Sequence, residues 1–325
     1  MNKKIIIIGS SSFSGSWLVK ELIKNKFNVI GISRSKIKRE FLFFNKKSYK
    51  FHQLDINKHF NKIARLIDKI KPKIIVNFAA QSFVRTSWET PEDWFKTNTY
   101  SSIKLANYLK DKKYLKKFIQ ISTPEIYGNI NNFKKNSYHL PTTPYALSKS
   151  SFDKFLELLF NKYNFPVIFV RSANVYGEGQ QLYRIIPKAI INIKNNKKIF
   201  LNDRGEVYRS FIHIEDNSKL ILRIINKGKL GSSYHPSTNK IISLKSLLKI
   251  ICKNLNSNYS KHVRLTSKIT TKDKYYNIFS QKELNQIKFK RKFINIETGI
   301  IRVIKWINEN WNKFKNQKLE YVHKK

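Results

Sequence analysis

Cysteine is almost missing from this sequence: Cys252 is the only one in 325 residues. A disulfide framework is therefore excluded, and the usage fits a reducing compartment. Long apolar runs are missing as well. No stretch approaches the roughly 18 uncharged apolar residues of a membrane span. The run Ile5 to Ile8 that comes after Met1-Asn-Lys-Lys stops at Gly9, far short of a signal-peptide core. A soluble, cytoplasmic protein without a membrane partner is the expectation. Internal repeats and low-complexity linkers are lacking too. Acid is scarce: 21 Asp plus Glu stand against 64 Lys plus Arg, a net charge of +43.

Apolar residues are plentiful. Hydrophobic residues make up 41% and aromatics 14%, enough to exclude a disordered polyelectrolyte, which lacks the residues to form a core. The length suits one large domain or two small ones. The charge creates a field that attracts polyanions, from nucleic acids and anionic lipids to nucleotide diphosphates. Nucleic-acid binders concentrate such charge in a tail or a stripe. Here lysine recurs in almost every block of ten, with no RGG-type segment and no terminal basic run longer than Lys324–Lys325. Lys, Asn, Ile, Phe and Tyr, all encoded by A/T-rich codons, are abundant together. Composition bias therefore accounts for most of the charge, and nucleic acid ranks behind a small anionic ligand as a partner.

The first half alternates short β-branched runs with longer periodic stretches. Strands are predicted over 4–8, 27–32, 50–53, 74–78, 117–122 and 167–171, and helices over 14–25, 60–70, 94–109 and 148–163. This alternation predicts an α/β fold, a doubly wound parallel sheet covered on both faces. It fades after about Asn174, which marks a domain boundary. A strand over 209–213 then precedes an apolar helix over 217–225, and an amphipathic helix falls around 298–314.

The first strand runs into Gly9-Ser-Ser-Ser-Phe-Ser-Gly15 and then a helix. Glycine at such a turn permits positive φ and close helix–strand packing. The helix N-terminus offers free N–H groups and partial positive charge to a pyrophosphate. The spacing is G-x-x-G-x-x-G with Ser12 at the middle position, where a side chain crowds the pyrophosphate unless the loop shifts. Gly9, Ser12, Phe13 and Gly15 are the candidate phosphate-turn residues. The second strand ends Ser33-Arg34. An acid in this place holds ribose hydroxyls, whereas an arginine accommodates a 2′-phosphate. The cofactor is thus NAD or NADP, with a lean to NADP, although Arg34 also reads as an ordinary exposed arginine. Asp55, beside Ile56 after the third strand, accepts from an adenine amino group or caps the next helix.

Tyr145-Ala-Leu-Ser-Lys149 carries the chemistry. A tyrosine and a lysine four apart share one helix face. A free phenol has a pKa near 10 and is a poor base at neutral pH. A nearby ammonium favours the phenolate, so the pair can accept an alcohol proton while a hydride leaves. Y-x-x-x-K alone is common in a chain rich in both residues. Its place after five strand–helix units, with Thr123 about twenty residues upstream at a strand end, makes it specific.

On these residues the chain resembles the extended short-chain dehydrogenase/reductase family over nearly its whole length. Further matching stretches are Asn77-Phe-Ala-Ala80, Thr97-Asn98, Asn174-Val-Tyr-Gly177 and Arg209 to Asp216. The resemblance implies a Rossmann domain over 1–173, to which a segment near 208–226 returns, and a smaller substrate-binding domain over 174–325. It implies Tyr145 and Lys149 as the hydride-transfer pair, Thr123 orienting the substrate hydroxyl, and Ala79 and Ala80 lining the cofactor cleft. Helices over 94–109 and 148–163 match the pair that forms a dimer interface in the family, so a homodimer is expected.

Thr123-Pro-Glu125-Ile-Tyr-Gly128 is similar to the Thr-x-Glu segment of nucleotide-sugar 4,6-dehydratases. Oxidation at C4 acidifies the C5 proton, and a base must remove it while the C6 hydroxyl departs. Glu125 is the candidate base. Pro124 departs from the dTDP-glucose type, which carries an acidic Asp there; either Glu125 serves as both base and acid, or a water or another side chain supplies the proton. Ala80-Gln-Ser-Phe-Val is closer to the GDP-mannose type. A C4-epimerase or 4-ketoreductase is the alternative enzyme, and a nucleic-acid-binding or inactive relative is the alternative of another class.

A nucleotide-diphosphate sugar calls for arginine near its phosphates. The resemblance points to Arg209 and Arg184, to Asn174, and to Tyr276 in Lys272-Asp273-Lys-Tyr-Tyr276. Ser82 and Gln81 are placed to reach the sugar, with Arg85 a weaker candidate. No His/Cys/Asp/Glu group has metal-ligand spacing; His213, in a strand, reads as structural.

Overall fold

The computed structural model describes residues 4–36, 41, 49–131, 138–271 and 273–323. The N-terminal lobe is a run of strand–helix units: β1 (Lys4–Ile8), α1 (Phe13–Lys24), β2 (Asn28–Ser33), β3 (Tyr49–Gln53), α2 (Phe60–Ile70) and β4 (Ile74–Asn77). A short α3 (Pro91–Trp94), a π-helical stretch (Phe95–Ser101) and α4 (Ser102–Leu109) come next as one continuous helical rod. Then come β5 (Lys117–Ile121), α5 (Pro144–Tyr163) and β6 (Val167–Val170). The predicted helix over 94–109 thus starts earlier, at Pro91, whose fixed φ suits a first turn, and is wound loosely in its middle.

Beyond β6 the chain weaves between two lobes. The elements are β7 (Asn174–Tyr176), α6 (Ile185–Lys194), β8 (Ile199–Leu201), β9 (Tyr208–His213), α7 (Ile214–Lys227), β10 (Ser233–Tyr234), β11 (Ile241–Ser243) and α8 (Leu244–Asn254). They continue with α9 (Tyr259–His262), β12 (Val263–Leu265), β13 (Tyr275–Tyr276), α10 (Gln281–Gln286), α11 (Ile296–Glu309) and α12 (Trp311–Phe314). Seven parallel strands make the main sheet in the order β10-β6-β5-β4-β1-β2-β3. β9 pairs instead with β7, β11 and β13 in the second sheet. The part of 208–226 that comes back to the first lobe is therefore its helix: α7 packs on α1. The two-residue β10 then closes the sheet edge beside β6. Two residues carry no period, so nothing in the amino-acid pattern announces this strand.

The burial pattern explains why β1 reads as an unbroken apolar run. Ile5 and Ile7 join the cluster that holds Leu18 and Leu22 of α1 and Ile221 and Ile225 of α7. Ile6 and Ile8 join the opposite cluster with Ile63 and Ile67 of α2 and Phe152 and Leu156 of α5. A strand covered on both faces has no polar side, as in other parallel sheets. The third cluster fills the second lobe between α6, α8 and α11. Strand order reverses at β1, where β2 lies on one side and β4 on the other. The crevice at the carboxyl ends there is where such sheets bind ligands.

α5 is fixed to the sheet by a buried ion pair. Arg171, just past β6, donates from Nε and Nη2 to Asp153 Oδ2 at 3.1 and 3.0 Å. Asp153 is 0% and Arg171 3% exposed. Arg171 Nη1 also donates to Tyr127 Oη at 2.6 Å and to Ser233 Oγ at 2.9 Å, tying β10 to the same hub. Breaking such a pair leaves an uncompensated buried charge. Arg171→Leu is expected to lower the unfolding free energy by about 3–5 kcal/mol, read from urea denaturation; a loss below about 1 kcal/mol would mean the pair contributes no more than a surface one.

Candidate active site

Two glycines set the turn after β1. Gly9 has φ +82°, and a Cβ there would stand 2.8 Å from the Phe78 carbonyl carbon and 2.9 Å from the Ala79 nitrogen. A Cβ on Gly15 would come within 2.3 Å of the Gly9 carbonyl oxygen. The first position needs a left-handed backbone and both need the missing side chain. Ser12 does not obstruct the turn in the way a side chain at the middle glycine position suggests. Its backbone is extended (φ −69°, ψ 161°) and its Oγ accepts the Gly15 N–H at 3.1 Å, capping α1.

A cavity of about 420 Å³ opens over this turn. Its wall includes Gly9, Ser12, Phe13, Ser33, Arg34, Asp55, Ile56, Ala79 and Ala80. Gly15 is not on that wall; it seats the helix against the turn. Ser33 Oγ accepts the Ser11 N–H at 3.0 Å, so the end of β2 holds the phosphate turn in place. Asp55 caps a turn, not a helix: Oδ1 accepts the Asn57 N–H at 2.7 Å, and α2 starts only at Phe60. The Cβ-free turn, the capped helix N-terminus and the shape of the crevice fit a nicotinamide dinucleotide.

A second cavity of about 480 Å³ adjoins the first, with Ser12, Phe13, Ala80 and Ser82 on both walls. Thr123, Glu125, Tyr145, Lys149, Asn174 and Arg184 line it. The backbone turns sharply after β5, where Thr123 Oγ1 accepts the Glu125 N–H at 3.3 Å and Pro124 occupies the first position of a short 3₁₀ turn. Thr143 caps α5 through the Ala146 N–H at 3.1 Å, which puts Tyr145 in the first turn and Lys149 one turn on. The Tyr145 N–H donates to Ser87 Oγ at 3.2 Å. Lys149 Nζ donates to the Ile121 carbonyl at 2.8 Å.

Asn98, in the π-helical stretch, joins three pieces of this wall. Its Oδ1 accepts the Gln81 N–H at 2.8 Å, and its Nδ2 donates to the Gln81 carbonyl at 3.0 Å and to Ser148 Oγ at 2.9 Å. The loop after β4 is thereby clamped to α5.

Burial dominates the electrostatics. It raises Glu125 to about 7, against the opposing pull of Arg209 and Arg184 and with added push from Asp273. It raises the Tyr145 phenol, reinforced by Glu125, while a hydrogen bond with Thr123 acts the other way. It lowers Lys149 to about 8, with Asp153 restoring part of the loss. Each group is shifted toward its neutral form, as desolvation requires. The site thus holds a carboxyl and an amine that titrate near neutral pH, beside a phenol that burial keeps protonated.

Other expected residues fall elsewhere. Arg209 is outside the wall of the second cavity: Nη1 donates to the Tyr208 and Lys274 carbonyls at 2.8 and 3.0 Å and Nη2 to the Asp273 carbonyl at 3.0 Å. Its guanidinium lies 4.1 Å over the Tyr276 ring. Tyr276 is itself off the wall, its hydroxyl donating to Asp273 Oδ2 at 2.8 Å. Both brace the segment behind Glu125. Arg85 is exposed on a 3₁₀ turn and off both walls. Lys272 lies outside the described residues. His213 is fully buried, accepting the Glu215 N–H at 3.2 Å, with Nε2 3.0 Å from Glu178 Oε2. Among the described residues no group of three His, Cys, Asp or Glu could hold a metal, and no helix is long and apolar enough to cross a membrane. Phe83, within Ala80-Gln-Ser-Phe-Val, and Tyr183 also line the cavities, and Tyr321 lines the first without any motif to announce it.

Comparison with known proteins agrees with this geometry. Residues 5–236 match the model of the NAD dependent epimerase/dehydratase family. Human dTDP-D-glucose 4,6-dehydratase is 30% identical over 328 residues, spanning 97% of this chain and 92% of that protein. The crystal structure of dTDP-glucose 4,6-dehydratase from Bacillus anthracis in complex with NAD superposes with a TM-score of 0.86 at 24% identity, covering 98% of this chain and 99% of that one. UDP-glucose 4-epimerase from Thermotoga maritima superposes with a TM-score of 0.85 at 22% identity, covering 95% and 99%. At those identities the structures speak for the fold. The extent of the family match, together with the human relative, establishes that the chain belongs to the NAD dependent epimerase/dehydratase family.

Proposed function

We propose that the protein is a nucleotide-sugar 4,6-dehydratase. The observation that carries this reading is Glu125 on the same wall as Thr123, Tyr145 and Lys149, with its proton poised near neutral pH. Residues 1–173, with α7 and β10, would form the cofactor lobe, and the second sheet and its helices the substrate lobe.

The dinucleotide, cradled by Gly9, Ser12, Phe13 and the wall from Ser33 to Ala80, would supply hydride removal at C4 and hydride return at C6. Thr123 and Tyr145 hold the C4 hydroxyl, and Tyr145 takes its proton. Lys149 holds positive charge beside the phenol and favours its ionised form. The resulting ketone acidifies C5. Glu125 removes the C5 proton and the C6–O bond breaks. Pro124 offers no acid, so we assign the departing hydroxyl its proton from Glu125 as well. A carboxyl raised to about 7 is suited to both transfers. Arg184, which donates to Ser82 O and Oγ at 3.3 and 3.2 Å on the wall of the second cavity, is the cation we assign to a substrate phosphate. The relatives named above make dTDP-glucose the first substrate to try.

The cofactor is NAD or NADP, and the second strand's end leans to NADP. Ser33 replaces the acid that would bind a ribose diol, and Arg34 and Lys36 share the cavity wall with it. A homodimer is assigned to α5: Leu147 and Leu158 are 47% and 67% exposed there, and Tyr100 on the neighbouring rod is 67% exposed.

Incubation with dTDP-glucose, GDP-mannose, UDP-GlcNAc and CDP-glucose should give one product lighter by about 18 mass units, the loss of one water. Glu125→Gln should abolish that loss and leave C4 oxidation measurable in a single turnover. Dehydration in the wild type should fall about tenfold per pH unit below about 7, because the base works ionised. A flat profile from pH 5 to 8, or full dehydration by Glu125→Gln, would refute the role; inversion at C4 without mass loss would make the protein an epimerase. Arg34→Ala should weaken NADP at least tenfold, about the effect of one lost charge-assisted contact, and leave NAD within about twofold. Equal losses for both would overturn the lean to NADP. Leu158→Lys should halve the mass seen by light scattering; an unchanged mass would remove α5 as the interface.

A further inference from the structure

The segment after α12 returns to the cofactor lobe. Tyr321 lines the first cavity. Its ring stacks on Phe83 at 4.5 Å and 17° and meets Tyr183 edge-on at 5.3 Å. Its hydroxyl donates to Gln81 Oε1 at 3.3 Å. Phe83 lines the second cavity and Tyr183 lines both, so Tyr321 stands where the two meet.

The segment is pinned at both ends. Two residues beyond Tyr321, the His323 ring stacks on Trp94 at 5.0 Å and 18°, and Nε2 lies 2.8 Å from Asp93 Oδ2. At its root, Phe314 is fully buried in the second lobe and packs on Trp306. Phe41, also on the cofactor cavity wall, packs on Trp306 and Phe314 at 5.7 and 6.0 Å. Val322, between the two anchors, is 69% exposed. The segment is tied to the Rossmann lobe over a cavity by two ring contacts, to Phe83 and Trp94, and by the hydrogen bond between His323 and Asp93.

We propose that Tyr321 is a cofactor-retaining residue: the segment 317–323 bridges the second lobe to the Rossmann lobe across the dinucleotide cavity and slows departure of the cofactor. The inference rests on the reading of that cavity as a dinucleotide site. A reaction that takes a hydride from its substrate and gives it back to the same sugar regenerates the oxidised cofactor in place and never requires that cofactor to leave. Retention then costs nothing in turnover and protects the loaded state. Tyr321 touches the cavity wall and no reacting group, so its effect belongs to the dissociation rate.

The test uses the full chain loaded with NADP⁺ or NAD⁺, chased by excess unlabelled dinucleotide, with the dissociation rate as readout. Two aromatic contacts and a hydrogen bond together correspond to about a tenfold change. Tyr321→Ala should release cofactor about tenfold faster, and Tyr321→Phe, which keeps both ring contacts, within about threefold of wild type. His323→Ala, which frees the outer anchor, should fall between them, and Val322→Ala should match wild type. Thermal midpoints read in parallel identify a variant that fails through unfolding, in which case His323→Ala decides. Wild-type release from both Tyr321→Ala and His323→Ala overturns the proposal and leaves the dinucleotide reading intact. A wild-type protein that binds neither dinucleotide overturns both.

Discussion

Desolvation of Glu125, Tyr145 and Lys149 is the constraint around which the rest of the chain is arranged. Each loses water on folding, and each is pushed toward its neutral form. Three such groups can share one wall only if the structure around them supplies directed partners. The Ile121 carbonyl serves Lys149, and Thr123 serves both the Glu125 backbone and the Tyr145 phenol. Asp153 supplies negative charge one helical turn from Lys149, and Arg171 compensates it in turn. The chain of compensation runs from the reacting groups to the sheet edge, where Arg171 reaches Ser233 on β10. The fold is thereby stabilised and the site held in register by the same contacts.

Much of this is legible in the sequence, and the reason is periodicity. The parallel sheet announces itself because strands buried on both faces are unbroken apolar runs, and the helices between them have amphipathic faces. The residues proposed to react are legible because the chemistry assigned to them needs fixed spacing: Tyr145 and Lys149 on one helix face, Thr123 and Glu125 around one turn. The two-residue β10 leaves no pattern. Arg209 is expected at the substrate; in the structure donors of its guanidinium go to three backbone carbonyls while its charge acts on Glu125, and a sequence shows a charge but not which acceptors reach it. Tyr321 is out of sight for the opposite reason. It meets Phe83 and Tyr183 only after folding brings together positions more than a hundred residues apart in the chain.

The positive charge takes on a different meaning. Among the described residues the basic groups on the two cavity walls are Arg34, Lys36, Lys149 and Arg184, with Asp55 and Glu125 as the acids. The local balance is far milder than the whole-chain figure of +43. Long-range field draws an anionic ligand toward the molecule, while contact is left to a few side chains. A wall packed with ammonium groups would hold Glu125 ionised and deprive it of the proton that the proposed dehydration asks it to give back.

The π-helical stretch between Phe95 and Ser101 has a consequence for how this protein can change over evolutionary time. Asn98 reaches Gln81 and Ser148 together because the winding there is wider than in an α-helix. Loss of a single residue from the stretch would restore regular winding with the flanks nearly in register, and would remove the bulge that carries Asn98 to Gln81 and Ser148. Substitutions at exposed positions of this rod other than Tyr100 cost the fold little, but the wide turn is held by what Asn98 joins. Descendants of this sequence can drift in composition along the rod while insertions and deletions are confined to the connections around it.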